Sequence, residues 1–213
     1  MEGLAFTFAC AWQPAAAAPS SRRSLHIMIR GSIIGLALLA GGAALAQTPW
    51  SFRPGAAELA FVARRFGVPA ASGRFQRYEG VVALDFERPE RSRVRVRIEA
   101  ASLETGTALV DGFIKGETML DAARFPIASF VSEEVRRSDE RNLVIHGQLT
   151  IRSITLPVTA TAILDDEPAT AQRSARLPFH ATASFSRSAF DVGRDVNVVD
   201  DQVEITIKGT ISR

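Results

Sequence analysis

Apolar and polar residues alternate strictly along several segments of this 213-residue chain. Over 93–98 valine and isoleucine alternate with arginine, and the same pattern recurs over 143–152, 179–185 and 203–211. A period of two with a single apolar face is typical of a half-buried strand. Such strands form antiparallel sheets that are wetted on one side, whereas parallel sheets are buried on both faces. We therefore predict an all-β fold of antiparallel strands.

Further segments show a weaker strand pattern and are separated by turn-forming Gly, Pro, Asp and Asn residues. They are 58–65, 74–76, 80–86, 127–134 and 155–164. About eight strands in one domain favour a closed or nearly closed barrel, with a β-sandwich as the alternative. An eight-stranded barrel is just wide enough to be filled by side chains or to hold one small ligand.

Only residues 109–120 have a helical pattern, which predicts one short helix of one or two turns. Asp111 is expected to cap this helix at its start. The apolar residues expected to face inward from it are Phe113, Ile114 and Met119. Residues 166–175 have no periodic pattern, and we expect them to form a loose, mobile loop.

The N-terminus has the pattern of an export signal. An apolar block over 33–45 follows Arg30 and ends in Ala44-Leu45-Ala46. A basic start, a short apolar core and an A-x-A end are the signature of a secretory signal peptide. The core is shorter than the roughly 20 residues that a transmembrane helix needs. We therefore predict a signal peptide over 1–46, with Met28 as an alternative true start.

Residues 47–213 are predicted to form one periplasmic domain with a core of its own. The formal net charge of the chain is +2, but residues 47–213 carry 22 basic and 22 acidic side chains. This balance argues against nucleic acid as a partner, because nucleic acid requires a basic patch on the folded part. The single cysteine, Cys10, lies before this domain, which excludes a disulfide or a cysteine-based metal site within it.

The sequence contains none of the common catalytic motifs, such as Gly-x-Ser-x-Gly, the P-loop or His-Glu-x-x-His. His146 and His180 fall on the polar faces of their strands, and a zinc site needs three or four ligands. We therefore predict no catalytic residue, no metal and no cofactor. An enzyme would need a converging acid–base pair inside the barrel. The only candidates for it are Arg65, Asp85, Asp111 and Glu117.

Phenylalanines at predicted inward positions are interleaved with small residues. The small residues are Ala63, Gly73, Ala128, Gly147, Ala181, Ala183 and Gly209. Such alternation either fills a tapering barrel as a dry core or lines an elongated apolar slot. The residue pattern alone leaves both interpretations open.

Several short motifs follow one another along the predicted domain. They are FVARRFG (61–67) with GRF (73–75) and YEG (78–80), ASLETG (101–106) with Asp111, MLD (119–121) and FPIASF (125–130), LTIRSITLPV (149–158), and SRSAF (186–190). Together, over about 50–211, they resemble the YceI family of exported, polyisoprenoid-binding proteins. Three positions depart from the family pattern. Arg65 and Phe113 stand where many members carry histidine, and Ser153 replaces a usual glycine.

The resemblance implies an extended, lipocalin-like antiparallel barrel with a helix near one mouth. It implies that a long isoprenoid, a polyprenyl chain or an isoprenoid quinone, is held inside. Each buried CH₂ contributes about 0.8 kcal/mol, so a long tail binds without directional contacts. The residues expected to bind this ligand are Phe61, Arg65, Phe75, Phe113, Met119, Phe130, Phe179 and Phe185. Of these, Arg65 is expected to meet the head group, for which its fixed charge suits an anion, or to gate the mouth.

We thus predict a periplasmic binding or carrier protein for an isoprenoid lipid, in transient contact with a membrane. The oligomeric state stays open, a homodimer included. One alternative is a structural, interaction or stress-response module with a filled barrel and no cavity beyond a few waters' volume. The other alternative is an enzyme that acts on a quinone-like substrate in the same slot.

Overall fold

The computed structural model describes residues 49–213, and the predicted signal peptide lies outside them. Eleven strands and two short α-helices form within this range. The strands are β1 (Trp50–Phe52), β2 (Ala57–Arg65), β3 (Val68–Phe75), β4 (Tyr78–Ala83), β5 (Arg93–Glu99), β6 (Leu103–Glu104), β7 (Ile127–Arg137), β8 (Asn142–Ile151), β9 (Ile154–Leu164), β10 (Arg176–Ser186) and β11 (Gln202–Ser212). The helices are α1 (Ala108–Lys115) and the single turn α2 (Pro168–Ala171).

Eight of the strands close into an antiparallel barrel. Hydrogen-bonded neighbours follow the order β1-β4-β5-β7-β8-β9-β10-β11, and β11 pairs with β1 to complete the ring. The predicted all-β fold, an eight-stranded antiparallel barrel with one short helix, is confirmed. The sandwich alternative is wrong, because a sandwich does not close on itself.

The other three strands extend the wall at one end of the barrel. Strands β1 and β2 lie end to end along one edge of β11, since Ser51 pairs with Ser212 and Ala57 with Gly209. The outer edge of β2 pairs with β3, and β3 pairs with β6. The wall is therefore longer on the side of β2 than a ring of eight strands would make it.

On the longer barrel strands, the alternation of apolar and polar residues places one face inside the barrel. On β5, Val96 is buried while Arg93, Arg95 and Arg97 are exposed. Strand β8 likewise buries Ile145. Burying the apolar faces of these strands is what drives the sheet to close around a common interior.

One end of the barrel is filled with apolar side chains. Trp50 and Phe52 are buried there, and the rings of Phe52 and Phe179 have centroids 5.4 Å apart. Helix α2 adds Ala171, which is 0% exposed. The predicted loop over 166–175 therefore contains a helical turn that packs on the core.

Helix α1 lies at the opposite, open end. It is shorter than the predicted span, and residues 116–124 continue as hydrogen-bonded turns. Asp111 does not cap this helix, because Thr107 occupies the N-cap position and Asp111 lies within the helix. None of the helices in residues 49–213 has the length and apolar character required to cross a membrane.

Candidate functional site

The open end of the barrel leads into an apolar cavity of about 350 Å³, here called the mouth cavity. Helix α1 borders it through Val110, Phe113 and Ile114. Residues 191–200, here called the covering loop, border it through four valines. These are Val192, Val196, Val198 and Val199. Strand residues complete its wall, namely Phe61, Ala63, Ala70, Ala71, Phe75, Leu103, Ala128, Ile151 and Val203 among others.

A second cavity of about 130 Å³, here called the barrel cavity, lies between the mouth cavity and the filled end. Every residue that lines it is apolar except Thr182, whose hydroxyl lies 3.0 Å from that of Thr161. One water needs roughly 10–15 Å³. Both cavities therefore exceed the few waters' volume that the filled-barrel interpretation predicts.

Glycines opposite phenylalanines help to keep the interior open. Phe52 on β1 pairs with Gly80 on the neighbouring strand β4, and Phe61 on β2 pairs with Gly73 on β3. A Cβ atom on Gly80 would lie 2.0 Å from the Phe52 ring, and one on Gly73 would lie 2.7 Å from the Phe61 ring. Each ring thus occupies the space that a side chain opposite it would need, and it lies against the wall.

Arg187 is the only charged residue among the described residues that line either cavity. Its guanidinium donates hydrogen bonds to five backbone carbonyl oxygens, those of Val192, Gly193, Val196, Val199 and Asp200. A guanidinium has five N–H donors, so all of them are used. Arg187 therefore holds the covering loop in place and offers no donor to a ligand.

Arg152 fixes the other side of the same loop. It lies in the turn between β8 and β9, and it donates hydrogen bonds to the carbonyl oxygens of Met119, at 3.2 Å, and of Asp191. The Asp191 carboxylate lies 3.6 Å from the guanidinium. These bonds join the covering loop to the segment that follows α1. The two arginines together define the shape of the mouth.

The structure places seven of the eight residues predicted to bind ligand on the cavity walls. The mouth cavity has Phe61, Phe75, Phe113, Met119 and Phe185, and the barrel cavity has Phe130, Phe179 and again Phe185. Arg65 lines neither cavity. It is exposed at the rim, donates a hydrogen bond from Nη1 to the Asn197 carbonyl at 2.7 Å, and stacks 5.1 Å from the Phe66 ring centre. Their role in binding stays a prediction.

The sequence interpretation misses the covering loop and the two arginines behind it. The four valines of the loop lie in irregular backbone, where no period of two or 3.6 marks an inward face. Arg152 and Arg187 lie in turns, where alternation carries no information either. The motifs LTIRSITLPV and SRSAF contain both arginines, and they are the only signal that pointed to these positions.

Helix α1 is attached to the barrel through Asp111. Its Oδ1 atom accepts hydrogen bonds from the backbone N–H and the hydroxyl of Thr105, both at 2.6 Å. The hydrogen bond from the Thr105 hydroxyl has the larger effect and the one from its N–H the smaller, and together they hold the pKa of Asp111 below its usual range. The ionised carboxylate thus fixes the start of the helix over the mouth cavity.

The groups considered for acid–base chemistry do not meet in the interior. Asp85 lies near the filled end and accepts two backbone hydrogen bonds from the turn that follows it. Asp111 is bonded to Thr105, and neither of these residues nor Glu117 lines a cavity. Within residues 49–213 no group of three His, Cys, Asp or Glu side chains is placed to hold a metal ion.

An apolar space of this kind favours apolar groups over water. Among the described side chains that line it, only Thr182 and Arg187 carry hydroxyl or charged groups, and both have hydrogen-bond partners within the protein. The site can therefore hold an apolar chain through burial alone, at about 0.8 kcal/mol for each CH₂ group.

The model of the YceI-like domain family matches residues 50–211. The chain belongs to this family. The resemblance seen in the sequence motifs is thereby confirmed. Among similar sequences, a UPF0312 protein of Pseudomonas savastanoi pv. phaseolicola is 29% identical over 160 residues, which cover 75% of this chain and 83% of the relative.

Two solved structures show the same YceI-like fold. BcnA of Burkholderia cenocepacia superposes with a TM-score of 0.66 at 24% identity, covering 74% of this chain and 96% of BcnA. A polyisoprenoid-binding domain from Saccharophagus degradans, implicated in plant cell wall breakdown, gives 0.57 at 10% identity, covering 77% and 97%. At these identities the likeness is one of fold.

Proposed function

We propose that this YceI-like domain binds the tail of an isoprenoid lipid in the mouth and barrel cavities and carries it without changing it chemically. The observation that carries the proposal is the pair of adjoining cavities, whose lining residues are apolar except for Thr182 and Arg187. A structural neighbour described as a polyisoprenoid-binding domain supports the choice of ligand class.

The lipid enters tail first, and its head group stays at the rim. Both polar lining residues already have hydrogen-bond partners within the protein, and a buried polar head without a partner costs roughly 1–3 kcal/mol. Arg65 lies at the rim with one N–H bonded to Asn197, and its remaining donors suit an anionic or carbonyl-bearing head group. A polyprenyl phosphate and an isoprenoid quinone both meet this requirement.

The lipid is loaded at a membrane surface. Large apolar side chains are exposed around the mouth, including Phe66 at 85%, Leu109 at 83% and Val198 at 59%. Val198 also lines the mouth cavity, and the Asp200 carboxylate accepts a hydrogen bond from the backbone N–H of Phe66. The exposed apolar surface is therefore continuous with the cavity, as transfer from a bilayer requires.

Native mass spectrometry and organic extraction of the freshly purified protein test the binding. We expect the wild type to release an isoprenoid lipid, or to take up added ubiquinone when stripped. Phe130→Arg places a charge in the barrel cavity and should abolish retention, because a buried unpaired charge is strongly unfavourable. Val131→Arg is the matched control, since Val131 is exposed on the outer face of the same strand.

A second pair of variants tests the binding independently, in case Phe130→Arg does not fold. Ala71→Trp fills the mouth cavity from β3, whereas Ser72→Trp places the same ring on the outer face. Only the first should reduce lipid uptake. If wild-type protein releases no lipid and takes up no quinone, or if Ala71→Trp and Ser72→Trp bind equally, the proposed function is wrong.

Export is tested separately from binding. We propose that the chain is cleaved after Ala46 and functions in the periplasm, on the strength of the apolar block over 33–45. N-terminal sequencing of protein from the periplasmic fraction should start at Gln47. Recovery of uncleaved chain in the cytoplasm would contradict this proposal.

A further inference from the structure

The mouth cavity and the barrel cavity meet at four side chains. Among the described residues, only Ile98, Leu149, Phe185 and Ile205 line both cavities. They belong to β5, β8, β10 and β11, so they approach the barrel axis from different strands. We call this group the constriction.

Phe185 is the largest member of the constriction and the only aromatic one. Its ring meets the ring of Phe190 edge to face, with centroids 5.4 Å apart and an interplanar angle of 83°. Phe190 is buried and fixed, whereas Phe185 is only half-buried although it faces inward. The exposed part of the Phe185 ring therefore borders the two cavities.

The two cavities differ in the ligand that each can take. Sites for small organic ligands occupy about 300–1,000 Å³. The mouth cavity, at about 350 Å³, meets this range by itself, but the barrel cavity, at about 130 Å³, does not. A short apolar chain can thus be held in the mouth cavity alone. A longer chain has to pass the constriction, and its end must then lie in the barrel cavity.

We propose that Phe185 determines the length of the apolar chain that the protein accepts. The inference rests on the proposed function, because it assumes that an apolar chain occupies these cavities. The ring lies where the two spaces meet, so its size affects the width of the passage between them. A smaller residue at 185 would join them permanently, and a larger one would close the passage.

A series of prenyl alcohols of increasing length, farnesol, geranylgeraniol and solanesol, tests the proposal. Affinity for each is measured by competition with a fluorescent apolar probe, using lipid-stripped protein. For Phe185→Ala we expect the affinity for solanesol, relative to farnesol, to rise at least about tenfold. That change corresponds to the burial of two further methylene groups. For Phe185→Trp we expect the same ratio to fall by a similar factor.

Ser184→Ala is the matched control, because Ser184 is the exposed neighbour on the outer face of β10. It should leave all three affinities unchanged. If the proteins bind prenols but the ratio is the same in Phe185→Ala, Phe185→Trp and wild type, the chain-length proposal is wrong and the proposed function stands. If wild type and Ser184→Ala bind no prenol at all, both are wrong. Should one variant fail to fold, the other still decides the question.

Discussion

Arg187 is a buried charge whose side-chain hydrogen bonds all go to backbone carbonyl oxygens. Its five N–H groups bond to five carbonyl oxygens between Val192 and Asp200. A buried charge is tolerated only when its hydrogen-bonding groups are satisfied, and a hydrogen bond to a charged group contributes about 1.5–3 kcal/mol. The covering loop has its conformation because these carbonyls converge on one side chain.

Replacing Arg187 should therefore loosen the mouth of the barrel. We expect Arg187→Ala to lower the free energy of unfolding by about 2–4 kcal/mol and to speed the release of a bound lipid. Arg187→Lys should recover only part of this loss, because an ammonium group has three donors and no planar fork. Urea denaturation and lipid release to vesicles are the measurements.

Arg194 provides the control for Arg187 on the same loop. It is exposed and lies 3.5 Å from the Asp191 carboxylate, and surface pairs of this kind contribute little. Arg194→Ala should change the free energy of unfolding by no more than about 0.5 kcal/mol. Equal urea midpoints for Arg187→Ala and Arg194→Ala would show that the five hydrogen bonds do not matter.

The attachment of helix α1 should depend on pH through Asp111. Its pKa is lowered by the hydrogen bonds from Thr105, so the folded state favours the ionised carboxylate. This stabilisation is fully present above the ordinary pKa of about 3.9 and is lost as the pH falls through the lower folded value. We expect the Tm difference between wild type and Asp111→Asn to be constant from about pH 5 upward and to shrink in acid.

The exposed Asp195 supplies the comparison for this titration. Asp195→Asn removes an exposed carboxylate of the covering loop, and its Tm is measured over the same pH range. If the Tm difference between wild type and Asp111→Asn were the same in acid as at neutral pH, the hydrogen bonds of the ionised Asp111 carboxylate would not be the cause of the stabilisation.

At the scale of elements, the helix that covers the mouth is weakened by its own glycine. Gly112 lies in the middle of α1, and a Cβ there would have no atom within 4 Å. Because glycine is less favourable than alanine within a helix by about 0.5–1 kcal/mol, we expect Gly112→Ala to raise the free energy of unfolding by that amount. Slower amide exchange in α1 should accompany it.

Alanine in place of Gly106 should have the opposite effect and lower the free energy of unfolding. A Cβ there would also meet nothing within 4 Å, but its φ of +86° is a conformation that alanine disfavours. Gly106→Ala is expected to destabilise the protein by about 1–2 kcal/mol. If both substitutions change stability in the same direction, backbone conformation is not the deciding factor.

The elements differ in how far the sequence predicts them. Alternation predicts the inward faces of β5, β8, β10 and β11, because each strand has apolar residues at every second position. Strand β1 has only three residues, and β3 begins with Val68-Pro69-Ala70-Ala71, which does not alternate. Both strands form because neighbouring edges supply hydrogen bonds. Likewise α2 exists because Ala171 packs on the core, a contact that no local pattern records.

The residues of the candidate site likewise fall into those that alternation predicts and those that it does not. Its strand-borne residues, such as Phe61 and Phe130, are predictable from alternation because the wall of the site is the inner face of the sheet. The valines of the covering loop are not predictable from alternation, since hydrogen bonds from the Arg187 side chain to the loop backbone position them. The sequence therefore predicts the strand residues of the cavity wall but not the covering loop.

At the scale of the whole domain, residues 49–213 have a filled end and an open end, and most of their large exposed apolar side chains lie at the open end. We expect Phe66→Ser combined with Leu109→Ser to slow the transfer of a quinone from phosphatidylethanolamine vesicles about tenfold or more. Removing two large apolar side chains from a bilayer contact costs roughly 1.5–3 kcal/mol each. The amount bound at equilibrium should not change, because neither residue lines a cavity. Stopped-flow fluorescence measures the rate.

Val81 and Val131 provide the control for the mouth variants. Both are exposed apolar residues on barrel strands away from the mouth. Val81→Ser combined with Val131→Ser should leave the transfer rate as in wild type. Equal slowing by both double variants would show that the mouth has no special role in transfer.

The end-to-end placement of β1 and β2 on one edge of β11 lets the closed ring carry an extension at one end. The filled end is closed by β1, which bonds to both β4 and β11, whereas β2, β3 and β6 extend the wall at the mouth. Insertions in the β2–β3 hairpin can therefore widen or lengthen the mouth without disturbing a hydrogen bond at the closed end. The dimensions of the mouth and the closure of the barrel are separate variables in this architecture, and each is open to change by evolution or design independently of the other.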